Sequence, residues 1–426
     1  MTLPTQTGAH VPSRDDAAAR DAADTLRRFR RRFVIADDDL IYLDGNSLGR
    51  LPRSTRARLR KVINEEWGGD LIRGWDSWIE LARAAGDMLA TGVLDARPGD
   101  VVVSDSTSVN LFKLAAAALD AQPGRTVIVT DDDNFPTDLY VLAGLASARG
   151  CELRVVKTDI DAGVSVDGIT AALDRDTALV SLSHVAYRSG AVADMPAITA
   201  AAHDCGALAL WDLSHSAGSV PVSLRAAAAD LAVGCTYKHL NAGPGAPAFL
   251  YVREDLQPQL RQPIWGWFGQ RDQFEMAPSY DPVDGIERFL VGTPSVLGLT
   301  AVLEGARLTA EAGIGPVSAK ARALTSYAVE LADAWLAPLG FALASPRDQA
   351  RRGAHVSLHH PQAWQVCQAL KGAGVIPDFR TPERLRLGFA PLYTRFVDVY
   401  DALAGLRDIV ASGSHIAYPA ERSRVT

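Results

Sequence analysis

The chain has 426 residues, with 43 Lys+Arg against 50 Asp+Glu, a formal net charge of −7 and 48% hydrophobic residues. That length can bury a large core and ordinarily divides into two domains. The acidic balance argues against nucleic acid or an anionic membrane as partner, and no apolar run reaches the roughly 20 residues of a spanning helix. Four widely spaced cysteines without a CxxC pair, and an N-terminus without an apolar signal region, lead us to expect a cytoplasmic protein with reduced thiols. Residues 1 to about 12 are polar, carry two prolines and are expected to be disordered. Ser13-Arg14-Asp15-Asp16 caps a helix predicted to run to about Phe33. Its arginines (Arg27, Arg28, Arg30, Arg31, Arg32) fit a solvated face and C-terminal turn better than an anionic partner. Ile41-Tyr42-Leu43 leads into a turn, Asp44-Gly45-Asn46-Ser47-Leu48-Gly49. Helices are predicted at about Pro52–Trp67 and Trp78–Leu94, with Arg73, Trp75 and Trp78 in the loop between. Aromatic side chains there suit either an aromatic substrate or ordinary helix packing.

From Val101 the chain alternates apolar strand and helix. Strands are predicted at Val101–Val103, Thr126–Val129, Glu152–Val156, Ala178–Leu182, Ala207–Trp211 and Leu231–Cys235. Helices are predicted at about 108–120, 137–149, 167–173 and 196–205. This pattern predicts an α/β protein whose mostly parallel sheet is covered on both faces. Polar residues gather where the strands end. Ser104-Asp105-Ser106-Thr107-Ser108 opens a helix, and hydroxyls with free backbone N–H groups at a helix N-terminus suit a phosphate; Thr107 and Ser108 are the expected ligands. Asp131-Asp132-Asp133-Asn134-Phe135-Pro136-Thr137-Asp138 follows the next strand, where Phe135 would serve as a hydrophobic staple if it had no other role. Ser183-His184 and Tyr187-Arg188-Ser189-Gly190 follow a third.

Asp212 ends the fifth helix-flanked strand, with His215 three residues on, and Thr236-Tyr237-Lys238-His239 ends the next. The sequence has only six lysines, Lys61, Lys113, Lys157, Lys238, Lys320 and Lys371, and uses arginine elsewhere. A desolvated amine is a usable nucleophile and a guanidinium is not. An amine and a carboxylate at neighbouring strand ends are what pyridoxal phosphate requires, one for its aldehyde and one for its ring nitrogen. In open α/β sheets ligands lie beyond the carboxyl ends of the strands.

After Tyr251 the sheet pattern stops. Trp265-Gly266-Trp267-Phe268-Gly269 and Phe289-Leu290-Val291-Gly292-Thr293-Pro294 are irregular loops, before a helix at about 296–312. Residues 313–426 are expected to form a smaller α/β domain. It has helices at about 316–336, 362–372 and 396–411 and strands near Phe341–Ala344, His355–Leu358, 375–379 and 384–388. Arg384 and Arg386 share one face of the last strand, and a guanidinium can hold a carboxylate through two hydrogen bonds. The tail after about Gly413 is expected to be mobile. The division is thus 1–70, an N-terminal arm with helices; 71–312, a large cofactor-binding domain; and 313–426, a small C-terminal domain.

WDLSHSAGSVPVSL followed by DLAVGCTYKHLNAGPGAPAFLYV, with YLDGNSLG upstream and GWFG and RLGFAPLY downstream, resembles the kynureninase family from about Tyr42 to about Tyr400. The resemblance implies fold type I of the pyridoxal phosphate enzymes, the aspartate aminotransferase superfamily. It implies hydrolysis of L-kynurenine, or its 3-hydroxy form, to anthranilate or 3-hydroxyanthranilate and L-alanine. The setting would be tryptophan catabolism, the kynurenine pathway or NAD biosynthesis. Lys238, Asp212 and Tyr237 would be the catalytic residues. Phe135 would stack on the pyridine ring, with Asp138 near it; Ser183 and His215 would contact the cofactor and Tyr237 its phosphate. Trp267 and Thr293 would reach the phosphate from a second subunit, making a homodimer with shared sites. Arg386 would hold the substrate carboxylate, and Asn46, Ser47, Trp75 and Phe268 would line the substrate pocket.

Three other readings keep the lysine. A cysteine desulfurase or selenocysteine lyase needs a reactive cysteine on a mobile loop, and Cys367 falls in a predicted helix. An aminotransferase does not call for GWFG or DGNSLG. A non-catalytic pyridoxal phosphate-binding module does not need all the site groups together.

Overall fold

The computed structural model describes residues 12–421; the predicted disorder of the first dozen residues lies almost entirely outside them. A short strand, β1 (Ile41–Tyr42), is followed by the seven strands of the main sheet. These are β2 (Val101–Val103), β3 (Val127–Asp131), β4 (Glu152–Val156), β5 (Thr177–Ser183), β6 (Leu208–Asp212), β7 (Leu231–Gly234) and β8 (Phe249–Val252). Their order is β2-β8-β7-β6-β5-β3-β4. Pairs from β4 through β7 are parallel, and β8 runs antiparallel to both β7 and β2. Strands β2, β3, β6, β7 and β8 are almost wholly buried, as near-continuous apolar runs require of a sheet covered on both faces. Only β4, at the edge, alternates toward solvent. The intervening helices, Thr107–Asp120, Pro136–Arg149, Val166–Ala172 and Met195–Asp204, lie within a residue of their expected bounds.

A second core forms around the antiparallel sheet of β9 (Ala342–Leu343), β10 (His355–His359), β12 (Asp378–Arg380) and β13 (Arg384–Gly388), in the order β12-β13-β10-β9. Helices Ile314–Trp335, Ala363–Gly372 and Phe396–Ala411 pack on it. The expected single strand at 375–379 is two. Its first part, β11 (Val375–Ile376), pairs in parallel with β1, which leaves only Asp378–Arg380 for β13. That pairing ties the N-terminal segment to the C-terminal core. Gly49 then donates its N–H to the Tyr237 carbonyl at 2.8 Å, so the loop 44–49 bridges both cores beside Lys238.

Four local expectations need correction. The helix begun at Ser13 has its capping box with Asp16 but ends at Ala23. Asp24 accepts from the Leu26 N–H and pairs with the buried Lys320 ammonium at 2.7 Å, and a 3-10 turn, Arg27–Arg32, then drops Phe29 and Phe33 into a cluster with Val317 and Tyr393. The helix Arg53–Lys61 continues as a π-helix, Val62–Asp70, where Glu66 is drawn to Arg58 and to the Trp78 indole N–H. Trp75 and Trp78 lie in a helical turn, not a loop, their rings edge to face at 5.7 Å. The segment after Gly413 is packed as far as Glu421: His415 meets Gln362, and Gln365 and Trp364 donate to the Tyr418 and Glu421 carbonyls.

Candidate active site

The carboxyl ends of β3, β5, β6 and β7 open on a cavity of about 420 Å³, inside the range of small-ligand sites. Thr107, Ser108, Phe135, Asp138, Ser183, Asp212, His215, Tyr237 and Lys238 all line it. Buried apolar strands deliver these polar groups because each strand's hydrophobic run stops at the cavity wall.

At one end the helix Thr107–Asp120 points its N-terminus into the cavity. Ser106 is its cap, leaving the Thr107 and Ser108 hydroxyls in the first turn. The buried Lys113 ammonium binds Asp105 at 2.7 Å and the Phe289 carbonyl at 2.8 Å, which offsets a carboxylate beside an anion-binding helix end.

At the other end Asp212 accepts from the Ser214 N–H at 2.7 Å. Asp138 is buried and hydrogen-bonded to Asp212. Burial, and then the Asp212 charge, holds the Asp138 carboxyl well above the carboxylate range, so it is protonated and acts as donor. Ser183 donates to Asn134 at 2.8 Å, fixing the turn before Phe135. Phe135 caps helix Pro136–Arg149 with its ring 40% exposed over the cavity, met edge-on by Tyr187 at 5.4 Å. The Lys238 ammonium lies 5.9 Å from the Phe135 ring centre and donates to His215 Nε2 at 3.0 Å. Burial, then Lys238, pushes His215 well below its ordinary value. The ring is therefore neutral, and accepting at Nε2 places its proton on Nδ1, which has no partner. Burial pushes the Tyr237 phenol upward.

The remaining predicted residues fall in two other groups. Asn46, Ser47 and Arg386 converge on the far side of Tyr187, whose carbonyl accepts from Arg386 at 2.6 Å. Arg386 is 1% exposed and also binds Ser47 and its cross-strand partner Asp378. Arg384, on the same strand face, is taken by Asp161 at 2.9 Å. Trp75, Phe268 and Trp267 pack on one another, Phe268 buried and Trp267 42% exposed, and Thr293 is exposed. Sequence reasoning missed Asp378, Asn134 and Lys113. Asp378 shares a short D-F-R run with Arg380, yet only the β12–β13 register puts it opposite Arg386.

A family model described as the kynureninase C-terminal domain matches residues 317–406. Kynureninase from Pseudomonas fluorescens is 47% identical over 408 residues, covering 94% of this chain and 96% of that protein. Kynureninase from Burkholderia pseudomallei (strain 1106a) is 45% identical over the same length and coverage. Among solved structures, the apo cysteine desulfurase from Thermococcus onnurineus NA1 superposes with a TM-score of 0.79 at 19% identity, over 91% of this chain and 98% of that one. A C-DES mutant with glycine covalently linked to its pyridoxal phosphate gives 0.79 at 17% identity, over 89% and 99%. Those two likenesses show the fold, which is the fold type I architecture expected above. The extent and identity of the curated relatives go further: this chain belongs to the kynureninase family.

Proposed function

We propose that this enzyme hydrolyses the Cβ–Cγ bond of L-kynurenine, giving anthranilate and L-alanine, with pyridoxal 5'-phosphate as cofactor. The observation that carries the reading is the cavity itself, which assembles a lysine, a buried carboxylate pair, an aromatic face and a hydroxyl-bearing helix N-terminus. The residues fit the cofactor. Unpartnered buried atoms at His215 Nδ1 and Asp138 Oδ2 belong to side chains of the cavity wall, and the helix end opposite them suits a phosphate.

When bound, pyridoxal phosphate supplies an aldehyde for amino groups and an electron-withdrawing ring for the substrate α-carbon. Thr107, Ser108 and the first-turn N–H groups hold its phosphate. Asp212, fixed by Ser214 and Asp138, would be the carboxylate partner of the ring nitrogen. Phe135, on the cavity wall, would stack on the cofactor ring. Lys238 Nζ holds the cofactor covalently and moves the substrate α-proton, with neutral His215 as its hydrogen-bond acceptor. Tyr237, on the cavity wall, would bind a phosphate oxygen through its O–H and assist proton transfer. Arg386 fixes the α-carboxylate and thereby the orientation of the bond to be broken. Asn46 and Ser47 complete that side of the pocket, and Trp75 and Phe268 belong to the side that receives the aryl ring.

Trp267 and Thr293 lie outside this chain's own cavity and are solvent-facing, as residues lent to a second copy would be. Exposed apolar side chains also concentrate in segments 63–79 and 264–297, among them Trp67, Ile72, Trp265 and Phe274. These features support a homodimer with shared sites. The two apolar cores support the division into 71–312 and 313–426, with 1–70 as an arm. Among the described residues no helix is long and apolar enough to cross a membrane; with the charge and cysteine pattern this supports a cytoplasmic location. Cys367 is fully buried in helix Ala363–Gly372 and pushed up to about 12 by burial, which does not suit a desulfurase nucleophile. Incubation with kynurenine, 3-hydroxykynurenine, cysteine or a keto-acid pair tests the reading. Anthranilate release supports it, and sulfide release or transamination alone refutes it.

A further inference from the structure

Charged side chains from three segments converge around Arg386. Arg386 on β13 donates to Ser47 at 2.8 Å and to Asp378, and Arg380 on β12 lies 2.8 Å from the same Asp378 oxygen. Asp44, from the loop after β1, lies 4.0 Å from Arg386. Two guanidinium groups thus face two carboxylates, and the cluster is electrically neutral. It is also incompletely bonded. Arg386 Nε, Asp44 Oδ1, Asp378 Oδ1 and both amide atoms of Asn46 are buried without hydrogen-bond partners. Such a concentration of unmet polar atoms around a buried guanidinium marks a site for a polar ligand. A carboxylate placed there would leave one uncompensated negative charge in a poorly solvated pocket, which is costly unless a proton accompanies it.

The neighbours narrow where that proton goes. His215, His239 and His355 lie on the cavity side. Burial and the nearby cations push all three down, His239 to about 3, so none takes a proton near neutrality. Tyr42 on β1 and Tyr393, against Gly45, are pushed upward, and Cys367 on the adjacent helix stands at about 12; all three already hold their protons. Asp378 is clamped between Arg380 and Arg386. Asp44 meets Arg386 only at 4.0 Å and its Oδ1 has no hydrogen-bond partner, so it is the less tightly held of the two carboxylates.

We propose that Asp44 is the proton acceptor of the carboxylate site, so that binding of a substrate carboxylate at Arg386 is coupled to protonation of Asp44. Burial, then Asp378, already raises the Asp44 carboxyl to about 6 before any ligand arrives. A further negative charge raises it more, and the site takes up a proton at pH 7. This rests on the kynureninase reading in taking an aryl-keto amino acid's carboxylate as the ligand of Arg386.

The probe is desaminokynurenine, which keeps the carboxylate and aryl ketone and lacks the α-amine, so no amine exchange confuses the proton count. Titration calorimetry of the holoenzyme in buffers of different ionisation heat should show uptake of about one proton per site near pH 7. The dissociation constant should rise about tenfold per pH unit above about pH 6. Asp44→Asn should bind without proton uptake, with a flat pH profile, and more tightly than wild type at high pH. A side chain with a merely structural role would not change the proton count and tighten binding together. Wild-type binding without proton exchange overturns the proposal, even where the variant fails to fold. Uptake that persists in Asp44→Asn also overturns it, as does failure of the analogue to bind. Kynurenine turnover, scored in parallel, shows separately whether the functional reading stands.

Discussion

One lysine, Lys238, lines this cavity and another, Lys113, is buried behind its wall at Asp105, and their surroundings separate them. The Lys113 ammonium has three acceptors, Ser104, Asp105 and the Phe289 carbonyl, and no free face. Lys238 has one, a neutral imidazole. Lys238→Ala should therefore abolish both turnover and the visible absorption that the cofactor acquires on binding, as absorbance spectra would show. Lys113→Met should instead weaken phosphate-end binding and leave that absorption obtainable at high cofactor concentration. A second residue prediction concerns pH. Asp131, at the end of β3, is raised to about 7, first by burial and then by Asp132. Its unfolded value is near 4, so the folded state holds the extra proton between the two. Its ionisation therefore costs stability progressively as pH rises from about 4 to 7, by at most about 4 kcal/mol. Asp131→Asn keeps an oxygen for the Asp133 N–H. Thermal melts should show it gaining on wild type at pH 8 and not at pH 4; an equal gain at both would refute this origin.

At the scale of elements, one helix sets the position of the lysine loop. Gly305, in helix Val296–Ala312, passes so close that an added Cβ would lie 2.0 Å from the Leu240 carbonyl oxygen. Backbone on both sides cannot yield as a flexible side chain can. Gly305→Ala should lower stability by about 1–3 kcal/mol and weaken cofactor retention, measured by melting and by dialysis of the coloured protein. Unchanged retention would show that the helix does not fix the loop. The sheet strands were legible because each is a buried run of Val, Ile, Leu and Ala closed by a polar group, and those polar groups are the site. What escaped reading was set by partners distant in sequence. The break after Ala23 answers to Lys320 and Tyr393, and the split of 375–379 answers to β1. Asp378 could not be placed beside Arg386 without the register of β12 on β13. The meeting of Trp75 with Phe268, rings 6.1 Å apart, is likewise announced by no local pattern.

At the scale of the whole molecule, the loop 44–49 joins the two cores at the site, and Gly49 hydrogen-bonds to the residue before Lys238. Trp267 and Thr293 lie outside this chain's own cavity, which is why a second copy is proposed to complete the site. Trp267→Ala and Lys238→Ala variants, each weakly active or inactive alone, should recover turnover when unfolded and refolded together, because a mixed dimer keeps one intact shared site. No recovery, with mixed dimers demonstrated by mass spectrometry, would show that each site is complete within one chain. The expectations for cofactor and turnover depend on the covalent anchor. Borohydride reduction of the protein loaded with pyridoxal phosphate, followed by peptide mapping, measures it directly. The account predicts a reduced pyridoxyl group on Lys238 and on no other of the six lysines. An enzyme that releases anthranilate while carrying the group elsewhere, or not at all, would contradict it.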